Sequence, residues 1–185
     1  MDVVIAYVDG NDPLWQQDYQ TYTDKPLLTK RFRDWGTLKY LMRGIQYRMP
    51  FVDNVFLVVA RESQVPEWID RETVHVVLHK DFIPAEHLPT FNSTTISLFL
   101  HRIPGLGEQF LYFNDDIFPV GKCTREDYFR DGKVVIGISA HLFVSGMYKR
   151  HVKRSNALAR KALGKRPVPF FIRPQHSCIP MLKSE

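Results

Sequence analysis

Two aspartates close a short apolar run, Phe110-Leu111-Tyr112-Phe113-Asn114-Asp115-Asp116, and there the residue types most plainly allow chemistry. A strand that buries its aromatics and ends in two carboxylates can offer oxygen ligands to Mg²⁺ or Mn²⁺, and a metal so held can meet a phosphate. Upstream stand a polar loop, Leu88-Pro89-Thr90-Phe91-Asn92-Ser93, and the pair His101-Arg102 before Ile103-Pro104-Gly105-Leu106. Arg102 is a cation able to neutralise a transferred phosphoryl group; His101 can orient a carboxylate or carry a proton. Together these parts point to phosphate-transfer chemistry. Asn-Asp is also an ordinary turn pair, and a single histidine is more often structural.

Three further clusters have the same character. In Asp9-Gly10-Asn11-Asp12-Pro13, glycine permits a tight turn with exposed N–H groups, and the carboxylates can hold ribose, metal or an acceptor hydroxyl. The same turn is a good helix start, with Pro13 at the first helical position. In Arg31-Phe32-Arg33-Asp34 the two guanidinium groups share one side of an extended segment, which suits bidentate contact with phosphate oxygens or pairing with Asp34. Asp34 can cap the helix that follows, and Trp35 is expected in the core. His176, in Pro174-Gln175-His176-Ser177-Cys178-Ile179-Pro180-Met181, is a loop histidine by sequence alone.

The elements that must position these groups follow from hydrophobic periodicity. Residues 3–8 form a continuous apolar run with β-branched members, as in a strand buried on both faces of a parallel sheet. Leu38, Leu41, Met42, Ile45 and Met49 recur at helical spacing, predicting an amphipathic helix over 37–48, stopped before Pro50. Residues 55–60, 74–78 and 110–113 read as further strands, and Ser93 as the cap of a helix to about residue 102. The order strand, helix, strand, strand, helix, strand predicts a doubly wound, mainly parallel α/β sheet with helices on both faces. Ligands then gather at the carboxyl ends of the strands, bringing Asp9 and Asp12 near Asp115 and Asp116. After Phe118 the signal weakens, leaving a strand over 133–136 and a helix over 155–163.

A length of 185 residues with 44% hydrophobic content predicts a single domain over 1–185 with a real core. No apolar run approaches membrane-spanning length, and Asp2 stands where a secretory leader carries positive charge, so a soluble, cytoplasmic-side protein is expected. Cys123 and Cys178 are expected to be reduced thiols. The net charge of +5 is unevenly spread: residues 1–131 hold 14 Lys/Arg against 19 Asp/Glu, and 132–185 hold 11 against Glu185 alone. The basic third is either a solvated face or a surface for polyanions such as nucleotide-sugar diphosphate, anionic lipid or nucleic acid. No nucleic-acid-binding motif accompanies it, and none is expected to bind.

Three blocks occur in an order that resembles the Stealth family of sugar-phosphate transferases. These include bacterial capsular polysaccharide phosphotransferases and the lysosomal-enzyme N-acetylglucosamine-1-phosphotransferase of animals. The first block is residues 2–13 with Trp15. The second runs from Arg31-Phe32-Arg33-Asp34-Trp35-Gly36 through Gln64-Val65-Pro66-Glu67-Trp68 and His79-Lys80-Asp81-Phe82 to Asp116, and the third is residues 176–181. The resemblance implies a Rossmann-like, glycosyltransferase-A-like fold that moves hexose 1-phosphate from a UDP-sugar to a hydroxyl of a capsule or exopolysaccharide. It implies Mg²⁺ or Mn²⁺ on Asp115 and Asp116, donor contacts from Asp9, Arg31, Arg33, Asn92 and His101, charge neutralisation by Arg102, and His176 as base with Asp12 as alternative. A bacterial member, cytoplasmic at the inner membrane face and touching anionic lipid through its basic part, is the corresponding expectation. Three departures accompany it. Ser97 follows Ile96 where close members have glutamate, Cys178-Ile179 separates Ser177 from Pro180 where the family has a small residue and then proline, and no fourth block with its arginine precedes Glu185. A degenerate, non-catalytic nucleotide-sugar binder is the alternative these departures imply.

Overall fold

The computed structural model describes residues 1–27 and 32–184. Its centre is a five-stranded sheet of order β3-β2-β1-β4-β9, where β1 is Asp2–Ala6, β2 Asn54–Val59, β3 Val74–Leu78, β4 Gln109–Asn114 and β9 Ile179–Leu182. The first four strands are parallel; β9 joins β4 antiparallel, with Tyr112 opposite Ile179. The predicted doubly wound, mainly parallel sheet is the observed one. The sequence reading placed no strand at β9.

Both faces of the sheet are buried, which is why the strands read as unbroken apolar runs. Val3, Ile5, Tyr7, Leu57, Val59, Leu111 and Phe113 pack on one side with Leu38, Leu41, Ile45 and Met49 of helix α2 and its end. Val4, Phe56, Val58, Phe110 and Tyr112 pack on the other with Phe82, Ile83, Leu100, Ile103 and Leu106. Successive side chains point to opposite faces, so each run serves two cores at once. Helix α1 is Pro13–Tyr22, α2 Leu38–Arg48, α3 the single turn His79–Phe82, and α4 Ser93–Phe99, continued by a 3-10 turn over Leu100–Arg102.

Local chemistry corrects several predicted boundaries. Asn92, not Ser93, caps α4, its side chain accepting from Thr94 N at 2.9 Å. Asp34 does not cap α2; its carboxylate accepts from Gly36 N at 2.8 Å and from the Tyr7 hydroxyl at 3.1 Å. Trp35 lies outside the core, 73% exposed, with the Arg33 guanidinium 5.1 Å from its ring. The strand predicted over 133–136 is the two-residue β6, Lys133–Val134, paired with β5, Phe129–Arg130. The helix predicted over 155–163 is longer: α5 spans Gly146–Ala162, because its outer face is polar and cationic and so escapes an apolar-period search.

Two compact units are distinguished, one formed by Met1–Val134 and Cys178–Glu185, the other by Val135–Ser177. Within the second, β7 (Ile138–His141) and β8 (Phe171–Pro174) form an antiparallel pair joined through α5. Helix α5 is tied to β8 by Asn156, whose amide donates to Ile172 O at 2.8 Å and accepts from Ile172 N at 2.9 Å. No helix among the described residues is long and apolar enough to cross a membrane.

Candidate active site

A cavity of about 240 Å³ opens at the carboxyl ends of the parallel strands. Ala6, Tyr7 and Val8 contribute from the end of β1, Ala60 from β2, His79 from β3, and Asn114, Asp115 and Asp116 from β4. The 90–96 segment supplies Thr90, Phe91, Ser93 and Ile96. This is the position a doubly wound sheet assigns to a ligand, because strand ends and helix starts leave an uncovered crevice there. An aromatic cluster fixes the wall: Trp15 and Tyr19 of α1 pack edge-on against Phe91, at 5.6 and 5.0 Å between ring centres, and Trp15 against Phe32 at 4.8 Å.

The carboxylates at the tip of β4 crowd one another. Asp115 has its pKa pushed up to about 6, first by burial and then by the charges of Asp116 and Asp34. A carboxyl in that state gains from any cation that arrives. Tyr7 is driven far above an ordinary phenol by burial and by Asp34, so it stays protonated and donates its 3.1 Å hydrogen bond. Tyr112, beneath Asp115, is pushed up to about 12 by burial and then by Asp115. Thr37, at the start of α2, donates to Asp115 O at 3.2 Å and ties the helix to the carboxylate loop.

The neighbouring turn after β1 is built differently. Asp12 caps α1: one oxygen accepts from Leu14 N at 2.9 Å, the other from Ser63 Oγ at 2.6 Å and Gln64 Nε2 at 3.2 Å. Burial alone would raise its pKa, but the hydrogen bonds from Ser63, Gln64 and the Leu14 and Trp15 backbone outweigh it and hold the group below the usual carboxylate value. Gln64, only 2% exposed, also donates to Asp9 O at 2.9 Å and accepts from Asp9 N at 3.3 Å. Gly10 is required here because a Cβ would come within 2.0 Å of Phe32 O.

The predicted site residues divide accordingly. Asp115 and Asp116 line the cavity, and Asn92 stands between its lining residues Phe91 and Ser93 with its side-chain oxygen engaged in capping. Asp9 and Asp12 sit beside it on the β1 loop but are not among the residues that line it. His101 and Arg102 are not brought there: α4 runs back along the sheet, leaving both exposed on the turn that leads to the start of β4. Arg33 is stacked on Trp35, and Arg31 falls outside the described residues. His176 belongs to the second unit. The sequence reading gave no role to Tyr7, Gln64 or His79, and gave Asp34 only those of a helix cap or an arginine partner. All four fall in the quoted blocks, but the partners of Tyr7, Asp34 and Gln64, 55 positions away in the case of Gln64 and Asp9, are set by the tertiary fold.

Comparison with known proteins adds to this geometry. The model of the family region described as Stealth protein CR2, conserved region 2, matches residues 31–136. The chain belongs to the Stealth family. It is 39% identical over 141 residues to a capsular polysaccharide phosphotransferase of Actinobacillus suis, covering 70% of this chain and 38% of that protein. It is 38% identical over 140 residues to a receptor polysaccharide phosphotransferase of Streptococcus oralis, covering 71% and 42%. An exopolysaccharide phosphotransferase of Lactiplantibacillus plantarum is 41% identical over 135 residues, covering 71% and 40%. The chain thus spans about two fifths of the length of these curated relatives. The Stealth region contains Asp34, Gln64, His79 and the Asp115-Asp116 pair, so most of the cavity floor lies within it.

Proposed function

We propose that the protein serves in transferring hexose 1-phosphate from a UDP-sugar to a hydroxyl of a surface polysaccharide. The observation that supports this reading best is the crowded carboxylate pair at the tip of β4, facing a cavity at the ligand end of a parallel sheet. In the reaction the acceptor oxygen bonds to the sugar-bearing phosphorus, the bridge to the other phosphate breaks, and UMP leaves. Charge on the diphosphate is the main obstacle, so positioning and neutralisation carry the rate.

Asp115 and Asp116 would hold Mg²⁺ or Mn²⁺. Among the described residues no group of three or more His, Cys, Asp or Glu side chains is gathered for a metal. That suits Mg²⁺, which usually takes one or two carboxylates and completes its shell with substrate phosphate oxygens and water. The raised pKa of Asp115 fits the same role, since burial and then the charge of Asp116 raise it, and a divalent cation would offset both. When bound, the metal supplies charge neutralisation on the diphosphate. Thr37 ties the carboxylate loop to α2, Tyr7 holds Asp34, and the hydroxyl proton leaves to a general base. The test is UMP release from UDP-sugars with a polysaccharide acceptor, with and without Mg²⁺. No release from a folded full-length protein under any metal overturns the catalytic reading.

The degenerate binder is favoured by one observation. The Ser97 hydroxyl donates to Thr94 O at 3.0 Å within its own helix, so a group that replaces the family's acid is turned to backbone bonding. Binding of a UDP-sugar without turnover would establish it.

We also propose that the second unit makes the contact with an anionic membrane. Residues 135–177 hold nine Lys/Arg and no Asp/Glu. On α5, Lys149, Val152, Asn156 and Arg160 form the less exposed stripe, leaving Met147, Arg150, Arg154 and Leu158 outward as an apolar-cationic face. Co-sedimentation with phosphatidylglycerol vesicles but not phosphatidylcholine vesicles is expected; equal binding to both, or to neither, refutes it.

A further inference from the structure

Among the described residues His79 is the one imidazole that lines the crevice, and its surroundings are unlike those of a structural histidine. It is 7% exposed, at the point where β3 passes into α3. A buried histidine in a core ordinarily spends both ring nitrogens on protein partners. Here neither nitrogen has a hydrogen-bond partner among the described residues. No buried side-chain nitrogen or oxygen among them is wholly occluded and unpaired either, so the unpartnered nitrogens keep some accessible surface, in a residue that lines the cavity. Burial pushes the ring down to about 4, and near neutrality it is the uncharged imidazole, with one donor and one acceptor.

Its place relative to the carboxylates is set by the sheet. In the order β3-β2-β1-β4, His79 and Asp115 stand at the ends of strands three steps apart, about 14 Å at the usual interstrand spacing. An extended nucleoside diphosphate has about that length. The crevice also continues past His79 into a second cavity of about 210 Å³, which shares Trp15, Ala60, His79, Thr90 and Phe91 with the first. The walls at this end are mostly aromatic and apolar, with Lys80 and an Asp18 that is paired to Arg61 beside them, whereas the β4 end is anionic. A ligand laid along it must therefore be flat and weakly polar at one end and doubly anionic, with its metal, at the other.

We infer that the cavity around His79 is the nucleobase subsite of the donor, with the His79 imidazole hydrogen-bonded to the edge of the uracil ring and the diphosphate directed to Asp115 and Asp116. The inference rests on the UDP-sugar reading above and adds its direction across the sheet. Uracil presents carbonyl oxygens on either side of an N–H, so a neutral imidazole meets it as donor to a carbonyl or acceptor from the N–H. Cytosine, with a bare ring nitrogen in place of that N–H, changes the pattern. The cavity end thereby holds the base and is separate from the groups that act on phosphate.

The test measures binding by calorimetry and nuclear magnetic resonance on the protein itself. UMP should shift the ring ¹⁵N and ¹H resonances of His79, and Mg²⁺-pyrophosphate should leave them in place while shifting Asp115. His79→Phe, which fills the same space without hydrogen bonds, should weaken UMP and UDP at least tenfold and leave Mg²⁺-pyrophosphate binding within twofold. His79→Gln, which restores a donor and an acceptor, should recover most of the affinity. UMP binding that leaves the His79 resonances unmoved overturns the subsite even if His79→Phe fails to fold. So does UDP affinity unchanged in a folded His79→Phe. If the parent protein binds Mg²⁺-pyrophosphate but no uridine nucleotide, the UDP-sugar reading itself fails, a result distinct from either.

Discussion

The two aspartate-rich turns that leave β1 and β4 are neighbours in the sheet and look alike in sequence, yet their electrostatics are opposed. Asp12 after β1 is surrounded by donors from Leu14, Ser63 and Gln64 and is held below its ordinary pKa. Asp115 after β4 is half-buried near Asp116 and Asp34 and is lifted to about 6. The first carboxylate is already satisfied by the fold, and ionising it stabilises the native state. The second is ionised at a cost that the fold does not offset, which is the state that a cation-binding group is left in before its cation arrives. Residue type alone does not separate a cap from a site; the supply of donors does.

The widest separation between the turns should appear in turnover. Asp116→Asn is expected to lower UMP release by about 10²–10³-fold, the scale for loss of one preorganised electrostatic contact to the transition state. Its urea midpoint should stay close to the parent's, as for an exposed loop substitution. Unaltered, metal-stimulated release in the variant would remove Asp116 from the site and leave the two turns equivalent.

Stability against pH tests the same contrast with its sign reversed. Asp115 binds a proton more tightly folded than unfolded, so the stability it removes is absent below about pH 4, grows as pH rises toward 6 and is full above it. Asp115→Asn should therefore be more stable than the parent at pH 8 by about 2–3 kcal/mol and indistinguishable near pH 3.5. Adding Mg²⁺ to the parent should narrow the gap by lowering the Asp115 pKa, readable by carboxyl ¹³C titration. An advantage of the variant over the parent no larger at pH 8 than at pH 3.5 would mean that Asp115 carries no such penalty.

Asp12→Ala should behave as a structural lesion. Loss of the α1 cap, with Gln64 and Ser63 left short of an acceptor, predicts a fall of about 2 kcal/mol in denaturant unfolding at neutral pH. Unlike the penalty at Asp115, the Asp12 contribution is present at neutral pH and is lost as pH falls through its depressed pKa. If Asp12→Ala keeps full stability but loses turnover, the β1 turn is catalytic and the contrast collapses. The smallest effect is expected at Ser97: Ser97→Glu should raise Mg²⁺ affinity a few-fold through one added charge next to the cavity-lining Ile96. A weaker metal isotherm in the folded variant would show that the site has been rebuilt around the hydroxyl.

Much of the architecture was legible from periodicity. The runs at 3–8, 55–60, 74–78 and 110–113 are β1 to β4 to within about two residues at each end, because a strand buried on both faces leaves an unbroken apolar signal. Pro13 after Asp12 marked the start of α1 for a reason confined to one turn of chain. Asp115 and Asp116 were legible as an acidic strand tip, and the crevice that contains them follows from parallel topology.

What the chain does not carry locally is which polar group meets which. Gln64 and Asp9 are brought together across 55 positions, Tyr7 and Asp34 across 27, and Thr37 and Asp115 across 78. The exposure of Trp35 and the addition of β9 to the sheet were decided in the same way, by surfaces assembled from distant segments. Periodicity and caps act over a few residues and are written in the sequence; the desolvation and donor supply that set Asp12 low, Asp115 high and His79 neutral exist only once the strands are side by side.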